Sequence, residues 1–250
     1  MLIVVAIAAW SNSAFAAYDE KNFCDPKAAT NLILIDVTTQ FDIRSKDLFE
    51  KGILAILGKM EGGQRIVIST IEDAMTSSQK LYEGCVPYCK DSGVLGSLFG
   101  DCTTGLVKLR SNEQRGAISK SLRGRLSSAA DLPLSEIVRT VATASSAEFA
   151  TKNNGEIYVF SDMIENSSYI PGKVFWWQPL ENILAKIVKD DYMPKLPGVK
   201  IRIFGVGRGG YQERKQLSQV KLDHIKKFWT AYFKQAGASD IVIGESLSGQ

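Results

Sequence analysis

The chain has 250 residues, of which 45% are apolar, 23% charged and 9% aromatic. That suits a globular domain with a sizeable core and excludes disordered, collagen-like and coiled-coil chains. Thirty Lys and Arg against 27 Asp and Glu leave +3, too small a surplus to imply nucleic acid or an anionic membrane as partner. A single histidine, His224, argues against His-based catalysis and His-rich metal sites.

The first element is an address. Leu2 to Ala9 is a short apolar run, and Ala14-Phe15-Ala16 is a small-x-small cleavage pattern, although no Lys or Arg precedes the run. The spacing predicts a signal peptide over 1–16 and a single exported domain over 17–250, periplasmic or secreted. The run is too short to span a bilayer, so stable membrane insertion is not expected. Cysteine usage agrees with export. Cys24, Cys85, Cys89 and Cys102 are an even set, which predicts two disulfides in one of three connectivities. A zinc site using the Cys85-x3-Cys89 pair is the rival reading.

Asn31-Leu32-Ile33-Leu34-Ile35-Asp36 is a continuous apolar run ending in a carboxylate, as in a strand buried on both faces. Leu48, Gly52, Ile53, Ile56 and Leu57 then trace a helical stripe, and Arg65 to Ile71 is a second strand. From about 72 to 105 the pattern dissolves into Ser, Gly and three cysteines, which reads as a disulfide-stapled insertion. Helical spacing returns at Ile118, Leu122 and Leu126, and again at Leu134, Ile137, Val138 and Val141. Glu156 to Phe160 is a buried strand followed by Ser161-Asp162. Leu180, Ile183, Leu184, Ile187 and Val188 form the most regular helical stripe. Val199 to Val206 alternates apolar and basic residues, as in a strand near an edge. Leu217, Val220, Ile225, Phe228 and Tyr232 mark a last helix before the short strand Ile241-Val242-Ile243. Strands alternating with helices predict a doubly wound α/β fold: a mostly parallel central sheet with helices on both faces.

Ligands of such sheets sit beyond the carboxyl ends of the strands, where Asp36, Asp162 and the turn Gly205 to Gly210 all fall. Asp36-Val37-Thr38-Thr39-Gln40 after the first strand resembles the first metal-site loop of von Willebrand factor A domains, D-x-S-x-S with Thr allowed. Ser161-Asp162 stands where that family places a second acidic residue. Leu132-Pro133-Leu134-Ser135-Glu136-Ile137-Val138 is similar to its T-P-L-x-E-A-L run. The order of elements follows the family from Asn31 to Ile243. The resemblance implies an adhesion or assembly module with Asp36, Thr38, Gln40 and Asp162 as candidate ligands for Mg²⁺. It also marks departures. Gln40 replaces a hydroxyl, and Leu132, where the family has Thr, cannot ligate, although Asp131 or Ser135 stands close by. The reading is therefore a degenerate site with no cofactor, or with weakly bound Mg²⁺.

Other signals are weaker. Gly205, Gly207 and Gly210 have dinucleotide-loop spacing, but late in the chain and without a following acidic partner, so they read as turn glycines. Lys108, Arg110, Arg115, Lys120, Arg123 and Arg125 make a basic helix face without interleaved aromatics. No nucleophile-base pair can be assembled, so the chain is not read as an enzyme; a metal-dependent hydrolase and a structural subunit of an envelope or secretion complex are the alternatives. Phe175, Trp176 and Trp177 follow one another on the segment leaving Asp162. As a strand or loop that segment cannot bury all three rings on one side. Trp176 or Trp177, with Asp162 orienting the loop, is the candidate anchor for a protein partner in the extracytoplasmic space.

Overall fold

The architecture comes from a computed structural model that describes residues 23–39, 43–89, 103–151, 154–207 and 217–244. The proposed signal peptide, Gln40 and Cys102 lie outside the described residues. Among the described residues six strands form one sheet: β1 (Thr30–Asp36), β2 (Arg65–Ile71), β3 (Lys80–Cys85), β4 (Gly155–Phe160), β5 (Lys200–Phe204) and β6 (Asp240–Ile243), in the order β3-β2-β1-β4-β5-β6. All neighbours are parallel except β3, which runs antiparallel to β2. The helices are α1 (Ile43–Lys59), α2 (Thr104–Ser127), α3 (Ile137–Phe149), α4 (Gly172–Trp177), α5 (Leu180–Lys189) and α6 (Gln219–Gln235).

The period-2 alternation of β1 builds both halves of the core at once. Leu32 and Leu34 point into a layer with Val138 and Val141 of α3, Ile183 of α5, and Phe228 and Trp229 of α6. Ile33 and Ile35 point the other way, onto Phe49 and Ile53 of α1 and Ile118 and Leu122 of α2. Every residue of β1 is buried, which is why its sequence shows no polar face. The doubly wound α/β fold is therefore present.

Three expectations need correction. The disulfide-stapled stretch after residue 72 also supplies a strand of the sheet that the pattern does not show: a 3₁₀ turn at Met75–Ser77 leads into β3, which ends at Cys85, and α2 begins at Thr104. The side chain of Thr103 accepts the Leu106 amide and starts that helix. α3 begins at Ile137 rather than Leu134, because Ser135 instead pairs its backbone with Asn166. Residues 172–177 form a helix, α4, not a strand or loop. In the first two cases a side-chain or long-range backbone bond overrides the local apolar pattern.

Cys24 is bonded to Cys85 at the end of β3, with 5.1 Å between Cα atoms, and Cys89 is disulfide-bonded as well. This decides between the three connectivities and takes the Cys85 thiol out of any zinc pair. Among the described residues no helix is long and apolar enough to cross a membrane.

Candidate functional site

The sheet order reverses between β1 and β4. From β1 the chain winds outward through β2, and from β4 it winds the other way through β5. Loops diverge above such a switch point and leave a crevice at the strands' carboxyl ends. Asp36 ends β1 beside this point, and Ser161-Asp162 follow β4 directly across from it.

Asp36 is buried and is the centre of a hydrogen-bonded cluster. Its Oδ1 accepts the Thr38 amide at 3.0 Å and the Thr38 hydroxyl at 2.7 Å. Its Oδ2 accepts the Ser161 hydroxyl at 2.6 Å and, more distantly, the Ser135 hydroxyl at 3.4 Å. Burial pushes the Asp36 carboxyl above its usual range, against the opposing pull of hydrogen bonds from Ser161, Thr38 and Ser135. One side chain thus ties together the loop after β1, the start of α3 and the end of β4. Ser161 Oγ also accepts the Met163 amide at 2.8 Å, and Asp162 Oδ1 accepts the Ile164 amide at 2.9 Å. The carbonyl of Asp162 accepts the Gly207 amide at 3.0 Å. Gly207 has φ 70° and lies against Leu222, where a Cβ would come within 2.1 Å of Leu222 Cδ2. That glycine serves a turn and a close approach, as expected of it; the remaining turn glycines, Gly209 and Gly210, lie outside the described residues.

The structure brings Asp36 and Thr38 together and sets Asp162 at the same edge, while Gln40 lies outside the described residues. Ser135 and Ser161 are the members that motif matching undervalued. Both are hydroxyls beside a motif residue, and only the fold shows them converging on Asp36.

Among the described residues the candidate ligands supply only part of an octahedral set of oxygens. Mg²⁺ needs six oxygens at short range with lone pairs turned toward it. Thr38 and Ser161 donate their hydroxyl protons to Asp36 and keep lone pairs on their oxygens, although the Ser161 oxygen spends one on the Met163 amide. Leu132 supplies no oxygen from its side chain where the resembling family has Thr, and its amide donates to the Thr38 carbonyl. Among the described residues no group of three or more His, Cys, Asp or Glu is arranged to hold a metal.

From Asp162 the chain runs to α4. Phe175 is fully buried, Trp176 is half-buried, and Trp177 is 83% exposed. Trp176 lies beside the His224 ring at 5.5 Å, and Lys221 Nζ stands 5.1 Å from its centre. His224 is itself fixed to the Phe175 carbonyl at 2.7 Å and packs edge-on against the Phe175 ring. Val220, adjoining Lys221, is 79% exposed. The basic residues of α2 are elsewhere: Arg110, Arg123 and Arg125 pair with Glu113, Glu50 and Glu72.

No protein-family model and no curated protein matches the sequence. The solved structures to which the chain is similar include three of low identity. Proximal thread matrix protein 1 from the mussel byssus is 13% identical, with a TM-score of 0.43 over 90% of this chain and 46% of that one. A von Willebrand factor type A protein from Catenulispora acidiphila is 9% identical, with a TM-score of 0.44 over 88% and 40%. An aerotolerance-related membrane protein from Bacteroides fragilis is 11% identical, with a TM-score of 0.40 over 88% and 94%. The chain thus spans less than half the length of the first two.

Proposed function

We propose that this chain is an extracytoplasmic protein-interaction module of von Willebrand factor A type, which holds a protein partner at the carboxyl edge of its sheet without enzymatic activity. The observation that carries the reading is Trp177, a large ring left 83% exposed on a helix whose neighbouring residue Phe175 is fully buried. A buried aromatic fixes the helix while an exposed indole beside it is presented in a defined place, the arrangement from which interface hot spots are built. In this reading the cluster around Asp36 is a scaffold for the loops, not a cation site, and Mg²⁺ is absent or weakly held. The disulfide at Cys24 and Cys85 is compatible with an exported protein.

The test compares Phe175→Ala, Trp176→Ala and Trp177→Ala for capture of partners from envelope extract and for melting temperature. Trp177→Ala is expected to weaken capture by about 2 kcal/mol or more, with melting unchanged. Phe175→Ala is expected to destabilise the fold by about 3–5 kcal/mol. Intact capture by Trp177→Ala refutes the docking assignment.

A further inference from the structure

Between the Asp36 cluster and α4 runs the segment 162–171, and at its centre lies a buried acid with no role in the docking reading. Glu165 is 0% exposed. Its Oε2 accepts the amides of Ile137 at 2.9 Å and Val138 at 2.8 Å, the first two residues of α3, and its Oε1 accepts the Ser167 hydroxyl. None of these three donors is cationic. The nearby titratable groups do not neutralise it either. Glu136, at the start of α3, repels it and already holds Arg139, while Tyr232 of α6 faces it as a buried phenol. Asn166, the next residue, distributes whatever happens here. Its backbone bonds Ser135 in both directions, its side-chain amide donates to the Pro133 carbonyl, and its Oδ1 accepts the Gly172 amide at the start of α4. Ser135 in turn reaches Asp36.

We propose that Glu165 is a proton-operated latch on this segment: neutral, it lets the segment pack closed against α3, and ionised, it loosens the segment and α4 with it. The neutral acid keeps a carbonyl oxygen for the two amides and can turn its O–H toward Ser167, whose hydroxyl then accepts. The ionised acid is drawn to the amides and the amino end of α3, but it has no cation to offset its lost hydration. Burial accordingly pushes the Glu165 carboxyl up to about 7, against the hydrogen bonds from Ser167, Val138 and Ile137. A carboxyl raised above its ordinary 4.5 contributes stability that is fully present below pH 4.5 and is lost as pH rises through about 7. If α4 carries the docking surface, a consequence that rests on the reading above, partner binding weakens over the same window.

Native-state hydrogen exchange on the full chain tests the latch, with opening constants corrected for the intrinsic pH dependence of exchange. The Ile137 and Val138 amides should open at least about tenfold more readily at pH 8.5 than at pH 5.5, a change equal to one unit of carboxyl shift. In Glu165→Gln, a neutral isostere, the two values should agree. His224, which touches Trp176, is unchanged in both proteins, so the difference between them reports Glu165. A ¹³C titration of the Glu165 carboxyl in the unmodified protein gives a second readout that needs no variant. A midpoint near the ordinary 4.5, or equal opening at both pH values, overturns the proposal. The two readings fail separately: a pH-dependent latch with intact capture by Trp177→Ala removes the docking site alone, and flat exchange with lost capture removes the latch alone.

Discussion

Asp36 shows how one buried carboxylate can hold three loops. Thr38, Ser161 and Ser135 reach it from the loop after β1, the end of β4 and the approach to α3. Removing the acceptor orphans hydroxyls that are themselves buried, at about 1–3 kcal/mol for each group left without a partner. Against that stands relief from burying a charge. Because several donors depend on one acceptor, Asp36→Ala is expected to lose about 2–3 kcal/mol net in urea unfolding. Asp36→Asn should lose less than about 1 kcal/mol, since its amide oxygen still accepts and its NH₂ can donate to hydroxyls. An alanine variant more stable than the parent protein reverses this account, with the cost of burial outweighing the bonds. Asp36 and Thr38 could be read from the sequence because they lie two apart on one loop. Ser135 and Ser161 stand in or beside the motifs, but their bonds to Asp36 could not be read, since separations of 99 and 125 residues leave no local pattern.

At the scale of elements, α2 reads in sequence as a basic helix, yet two of its cations brace the fold, Arg123 through Glu50 of α1 and Arg125 through Glu72. Arg125, near its end, forms a forked contact with Glu72 just beyond β2, at 2.8 and 2.6 Å, and both side chains are largely shielded from water. The Glu72 carbonyl also accepts the Glu136 amide, so this pair fixes the loop between β2 and β3 against both α2 and the start of α3. Arg125→Ala strands the buried carboxylate and is expected to cost about 3 kcal/mol. Arg123→Ala, whose Arg is 71% exposed, should cost less than about 1 kcal/mol. Thermal melts of the two variants check the order; equal effects would show that burial does not set the strength of these pairs. Periodicity located α5 almost to the residue because Ile183 and Ile187 are both buried and four apart. It missed β3, an edge strand whose residues Lys80, Leu81, Glu83 and Gly84 carry little apolar signal. Pairing with β2 and the disulfide at Cys85 hold that strand, and neither has a local signature. α4 was missed for a related reason. Six residues are too few for a helical period to emerge, and packing of Phe175 on Phe228 and His224 determines its conformation.

For the whole molecule, the doubly wound sheet places the Asp36 cluster and the path to Trp177 on one edge, so a cation bound there would couple to the stability of the entire domain. That coupling has a definite size. A ligand that binds only the folded state stabilises by RT ln(1 + [L]/Kd), so a site with Kd of about 10 μM gains about 2.7 kcal/mol in 1 mM Mg²⁺. For a domain of this length 1 kcal/mol moves the midpoint by about 2–4 °C, so an intact site would raise melting by at least about 5 °C. The apolar side chain of Leu132, where the resembling family has Thr, argues for a much smaller effect. The expected shift between 1 mM Mg²⁺ and excess chelator is below about 1 °C, which corresponds to a Kd no tighter than the millimolar range. Leu132→Thr, which restores the missing hydroxyl, supplies the contrast. If the departure at residue 132 is what weakens the site, this variant alone should gain a Mg²⁺-dependent rise in melting temperature, and Asp36→Ala in the same background should abolish it. A shift of several degrees in the unmodified chain, removed by Asp36→Ala, would mean that the hydroxyls around Asp36 rotate toward a cation after all, and that the cluster is a metal site in its unliganded arrangement.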